Sequence, residues 1–165
     1  MMEINTQEVS FTEERIIRSL GKMKAEVDFS VKNLVYYPYM FYEFDFKNSN
    51  PISPLKGNVG CTIDAISGTP ALVDKRPAFI MQQLTDEKPL PVQLEGEEAK
   101  HLAQEFLYRT ISRKIKVMSA PNIALKHHEL FYRPCWVVSG NKGNKDTFTL
   151  IVDSISGKYH PLNVE

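Results

Sequence analysis

Most of the signals that would announce a chemistry are missing from this 165-residue chain. It has two cysteines and one tryptophan, and its 20 basic and 20 acidic residues cancel. Two cysteines cannot build a cysteine cluster for a metal. Cys61 and Cys135 each lie inside an apolar, strand-like run, where a thiol acts as a small core hydrophobe. A net charge of zero gives no long-range attraction to a nucleic acid or an acidic membrane, so no nucleic-acid partner is expected. No apolar run approaches the length of a bilayer span, and Met1-Met2-Glu3-Ile4-Asn5 has neither the basic start nor the apolar core of a signal peptide. The expectation is a soluble, cytoplasmic protein with no membrane span. No glycine-rich phosphate loop or nucleophile elbow occurs either.

What the chain does have is ordinary globular material, 42% hydrophobic and 24% charged. That supplies one substantial core or two small ones. Ser10-Phe11-Thr12-Glu13 has the spacing of a capping box, so a helix is expected to start there. Ile16, Leu20 and Met23 form its apolar stripe, and Gly21 weakens it. From Val27 the period changes to two, with Val27, Phe29 and Val31 alternating against polar residues. Tyr36 to Phe46 is dense in aromatic strand formers, with Pro38 expected at the start of the strand or on an edge. Residues 47–56 read as a loop, and 59–64 as the return strand. The turn Asp64-Ala65-Ile66-Ser67-Gly68 then leads to a short partner strand at Ala71-Leu72-Val73. The connector that follows carries Pro77, Pro89 and Pro91, and its Phe79, Ile80, Met81 and Leu84 suggest a packed segment with a short helical turn. A second helix is expected from Gly96, its stripe running through Ala99, Leu102, Ala103, Phe106, Leu107 and Thr110. Ile115 and Val117 suggest a short strand, and Ser119-Ala120-Pro121-Asn122 a turn.

The two halves resemble each other. Leu34 falls on Leu130, Tyr36 on Tyr132, Pro38 on Pro134 and Met40 on Trp136, all at an offset of 96. Asp64 falls on Asp153, Ser67 on Ser156 and Gly68 on Gly157 at an offset of 89, the change lying in the loop where the first copy is longer. An internal duplication is the reading this pattern supports. The fold expected is α+β: two repeated helix plus antiparallel β-meander units, packed together or sharing one sheet, with the helices on one face. Residues 1–74 make the first repeat, 75–95 a proline-containing connector and 96–165 the second repeat.

A helix followed by an antiparallel hairpin that closes on Ile63-Asp64-Ala65-Ile66-Ser67-Gly68, and again on Val152-Asp153-Ser154-Ile155-Ser156-Gly157-Lys158, resembles a PepSY-type domain. The resemblance implies inhibitory or regulatory binding and brings no catalytic residues with it.

The polar candidates each have a plainer role. His127 and His128 are adjacent in a strand, so their imidazoles point to opposite faces and no metal is expected at His127-His128-Glu129. Cys135 with either histidine would make a nucleophile and base, but Tyr39 occupies the equivalent place in the first copy, which marks a packing position. Asp64 and Asp153 are accounted for by their turns. Arg109, Arg113, Lys114, Lys116 and Lys126 form the most basic stretch, next to Tyr108, and read as a solvated helix end. His101 and His160 read as surface residues. What remains is a non-enzymatic binding or regulatory module, without cofactor, that binds a protein or peptide partner or a second copy of itself. Its aromatic sheet would carry the contact through Tyr36, Tyr37, Tyr39, Phe41, Tyr132 and Trp136. The alternative is a small-molecule or lipid-binding protein with an apolar pocket between sheet and helices.

Overall fold

The computed structural model describes residues 2–48, 55–115, 122–143 and 146–162. In chain order the elements are β1 (Met2–Thr6), α1 (Glu13–Met23), β2 (Asp28–Asn48), β3 (Leu55–Asp64), β4 (Pro70–Val73) and β5 (Ile80–Leu84). They are followed by α2 (Gly96–Ile115), β6 (Asn122–Lys142), β7 (Asp146–Asp153) and β8 (Tyr159–Pro161). Lys116, Val117 and the expected turn at Ser119-Ala120-Pro121 lie outside the described residues, as does most of the loop expected over 47–56.

The expected α+β architecture of two repeated helix-plus-meander units is overturned. Among the described residues the protein is mostly one large mixed sheet of eight strands with two helices, 52% strand against 20% helix. The strand order is β4-β3-β2-β6-β1-β5, with β7 and β8 joined on through β6. The pairs β1–β5, β2–β3, β3–β4, β6–β7 and β7–β8 are antiparallel, and β1 meets β6 in parallel at Thr6 and Tyr132. Two features of the chain produce this. First, β2 and β6 are each 21 residues long because the strand continues through Pro38 and Pro134. Each proline lies one residue outside the ladder with its return strand, which begins at Tyr39 opposite Asp64 and at Cys135 opposite Asp153. A missing N–H costs no ladder bond there, while the carbonyls still accept: Pro38 O from Ala65 N and Pro134 O from Ser154 N, both at 3.1 Å. Second, the connector yields the strand β5 rather than a helical turn, and it pairs with β1 from Met2 opposite Leu84 to Thr6 opposite Ile80.

The chain divides into two compact units. One contains residues 1–37, 79–90 and 132–165, the other 38–78 and 91–131. In the second of these, α2 packs on β2 and β3. Ala99, Ala103 and Leu107 are fully buried against Tyr42, Phe44, Cys61 and Ile63, and the two alanines allow the helix close to the sheet. Leu102 and Phe106 flank this cluster.

In the other unit, Ile16 and Leu20 of α1 are buried against Val138 of β6 and Leu150 and Val152 of β7. A separate cluster joins Ile4 of β1, Leu84 of β5, Tyr36 and Tyr132. Each helix therefore packs on the meander that follows the other helix in sequence. The N-cap of α1 is Thr12, whose hydroxyl accepts from Arg15 N at 3.4 Å, rather than Ser10 of the expected capping box. Phe11 is held out of the helix because its N–H donates to Ser154 O (2.7 Å) and its carbonyl accepts from Trp136 Nε1 (2.9 Å).

Both turns expected from sequence form around the aspartate side chain. Asp64 Oδ1 accepts from Ile66 N and Ser67 N at 2.9 Å, and Asp153 Oδ1 accepts from Ile155 N at 2.8 Å. Gly68 and Gly157 close them with φ of 81° and 76°, a region that favours glycine.

Candidate functional site

Of the six aromatic candidates, three are in the core. Tyr36 and Tyr132 belong to the cluster with Ile4 and Leu84, and Phe41 is 1% exposed. Burial raises the Tyr36 and Tyr132 phenols above their ordinary value, Tyr36 with a further push from Glu87. Tyr37, Tyr39 and Trp136 are half-buried. Tyr39 stacks on Phe131 with ring centres 5.7 Å apart, and Trp136 packs beside the α1 cluster while bonding Phe11.

The His127-His128-Glu129 stretch sends its two imidazoles to different neighbours. His127 tilts against the Phe41 ring and lies 2.8 Å from Glu129, whereas His128 stacks on Tyr42. Glu129 also accepts from Arg76 at 2.6 Å, a contact across 53 residues that no local pattern announces. Lys126 lies 3.9 Å from Glu43. Phe41, Glu43 and Arg76, with Gly60 among others, line a small polar hollow of about 230 Å³. Since the Arg76 side chain is 53% exposed, the pair is a solvent-screened surface contact rather than a preorganised reaction centre. Among the described residues no group of three or more His, Cys, Asp or Glu side chains is placed to hold a metal ion.

Both thiols are buried, Cys61 completely and Cys135 at 4% exposure, and they fall in different units. Burial pushes the Cys61 thiol up to about 12. Asp153, besides its turn, pairs with Arg133 (3.1 Å), whose Nε donates to Gln7 Oε1 (3.2 Å). Asp64 and Asp153 belong to different units, and each is engaged in its own turn. His101 pairs with Glu105 along α2 at 3.3 Å, both well exposed, and His160 is exposed in β8.

Two features that sequence reasoning did not assign bear on binding. One is a hollow of about 460 Å³ at the start of α2. Met40, Tyr42, Leu125 and His128 of the sheet face Glu95, Gly96, Glu97 and Lys100 across it. Tyr42 donates weakly to Gly96 O (3.4 Å), and its phenol is raised to about 12, chiefly by burial and further by Cys61 and Glu97, so it stays a neutral donor.

The other is the edge strand β5. Among the described residues β5 pairs with β1 alone, and four of its five residues are exposed, Ile80 at 42% and Met81 at 60%. The hydrophobicity of Ile80-Met81-Gln82-Gln83-Leu84 was legible, but its place at the edge of a sheet was not. No helix among the described residues is long and apolar enough to cross a membrane. No protein-family model matches the chain, and no curated protein or solved structure matches it significantly.

Proposed function

We propose that this protein is a non-enzymatic binding or regulatory module that takes a protein or peptide partner as an added strand along β5. The observation that carries this is the open edge itself: an uncharged, proline-free strand with Ile80 and Met81 in solvent. An edge strand offers unpaired backbone donors and acceptors. An extended segment satisfies them while its side chains cover the exposed apolar residues. A binding role is favoured over catalysis because the thiols are buried and the aspartates serve their turns. The PepSY-like reading belongs to this proposal and is supported by the Asp-x-x-Ser-Gly turns. A cytoplasmic location belongs to it as well, supported by two buried thiols in separate units.

The test is to pan a displayed library of short peptides against the protein and against its Met81→Lys variant. Extended apolar peptides that bind the first and not the second support the reading. Peptides that bind both equally, or none at all, reject it.

A second reading rests on the hollow at the start of α2, whose volume suits a small apolar ligand and whose rim carries His128 and Lys100. Ligand-observed NMR with a fragment set, compared between the protein and Leu125→Trp, tests it. Binders that the tryptophan does not displace would place the site elsewhere.

A further inference from the structure

The hollow at the start of α2 is lined by one unit alone, residues 38–78 and 91–131. Its sheet side is largely apolar, since Met40 and Leu125 are half-buried there and Tyr42 is 2% exposed. Charge of both signs stands around it. Glu95 and Glu97 flank the first residue of the helix, Lys100 follows one turn on, and His128 faces them from β6.

Among the described residues the side chains of these four make no ion pair or hydrogen bond with one another or with any other residue. Elsewhere in the same unit opposite charges are paired: Arg76 with Glu129 at 2.6 Å, His101 with Glu105 at 3.3 Å and Lys126 with Glu43 at 3.9 Å. Glu97 and Lys100 are spaced on the helix as neighbours that could pair, yet they do not. Both charges therefore remain open to a ligand.

The Tyr42 hydroxyl adds a fixed polar atom. It donates to Gly96 O at 3.4 Å, while its oxygen accepts from no described residue. Glu97 lies near enough for its negative charge to help push the phenol up. A cation placed there meets a carboxylate and a free oxygen lone pair. Lys100 and His128 supply N–H donors to an anion, because an imidazole keeps an N–H in either protonation state.

We propose that this hollow binds a free α-amino acid with an apolar side chain. The ammonium lies against Glu97 and the Tyr42 oxygen, the carboxylate against Lys100 and His128, and the side chain covers Met40 and Leu125. This rests on the small-ligand reading above and names the ligand. A volume of about 460 Å³ is in the range of small-molecule sites and admits a molecule the size of leucine. A wholly apolar ligand would leave the charges of the rim without partners. A simple amine would meet Lys100 as a like charge, and a simple carboxylate would meet Glu95 and Glu97. A molecule carrying both charges matches each sign, and the mismatched groups are rejected.

The test is calorimetric titration of the whole chain with three probes of one shape. L-leucine should bind saturably. L-leucinamide, which lacks the carboxylate, and isocaproate, which lacks the ammonium, should each bind roughly tenfold or more weakly, because each loses one charge-assisted contact. Glu97→Gln should weaken leucine and leucinamide without weakening isocaproate, and Lys100→Gln should weaken leucine and isocaproate without weakening leucinamide. Circular dichroism and thermal midpoints close to those of the unaltered chain show that both variants fold. Leucine that does not bind overturns the inference, and so do three probes of equal affinity. Leucinamide as tight as leucine overturns it too, leaving an ammonium site suited to the amino terminus of a peptide. If leucine fails but uncharged apolar fragments bind and Leu125→Trp displaces them, only the class of ligand is wrong. If the fragments also fail, the small-ligand reading falls with it.

Discussion

Gly157 sits so close to Phe11 that a Cβ built on it would lie 3.3 Å from the ring. The turn that closes the second meander thus presses on the residue that leads into the first helix. In the other unit a Cβ built on the corresponding glycine, Gly68, would lie 3.4 Å from a methyl of Leu102 in α2. Each turn is fitted to the helix from the other half of the sequence.

Gly157→Ala should therefore cost more than Gly68→Ala. Both force a non-glycine residue into the left-handed region, about 1–2 kcal/mol each. Only Gly157 adds a crowded contact with an aromatic ring on a fixed segment, whereas the Leu102 methyl is at ordinary contact distance. Thermal melts of the two variants check the order. Equal midpoints would remove the role given to Phe11.

Residues 1–74 and 96–165, prepared separately, should each lack a cooperative thermal transition as monomers. The first retains the strands of the Tyr42–Phe44–Cys61–Ile63 core without α2, and the second retains the Val138–Leu150–Val152 core without α1. Losing a helix exposes a whole apolar sheet face, which a unit this small cannot spare. Circular dichroism and amide NMR spectra report it, and a cooperative melt of either monomeric fragment would contradict the exchanged packing.

Ser154 is fully buried, and its hydroxyl has no hydrogen-bond partner among the described residues. Ala65 holds the equivalent place in the first half and is also fully buried. An unsatisfied buried hydroxyl carries a desolvation cost, so Ser154→Ala should raise stability by about 1 kcal/mol. Denaturant unfolding measures this, and a clear loss of stability would show that the hydroxyl has a partner.

Stability should fall in alkali before any loss near neutrality. Burial raises the Cys61 thiol from 9.0 to about 12 and the Tyr42 phenol from 10.0 to about 12, and Tyr36 and Tyr132 shift the same way. The folded chain keeps these protons while the unfolded chain releases them. Their contribution is intact below the unfolded values and declines as pH climbs from 9.0 towards 12. Unfolding free energies across that range, with and without Cys61→Ala, test the sign. The same burial predicts that Cys61 reacts with a thiol reagent only after denaturation. Rapid labelling of the native protein at Cys61 would contradict it.

The sequence by itself determined what depends on neighbours a few residues apart. The buried helix stripes at Ile16 and Leu20 and at Ala99, Ala103 and Leu107 follow from helical spacing, and the turns at Asp64 and Asp153 from side chains that reach the next amides. Only the tertiary structure decided which stripe meets which sheet. Two apolar helix faces and two apolar meanders can be matched in more than one way, and no local pattern distinguishes the exchanged arrangement from the direct one. For the same reason Tyr36, Phe41 and Tyr132 went into the core while Ile80 and Met81 were left in solvent. Aromatic and aliphatic residues are both suited to burial, and exposure falls to whichever strand the pairing leaves at the edge.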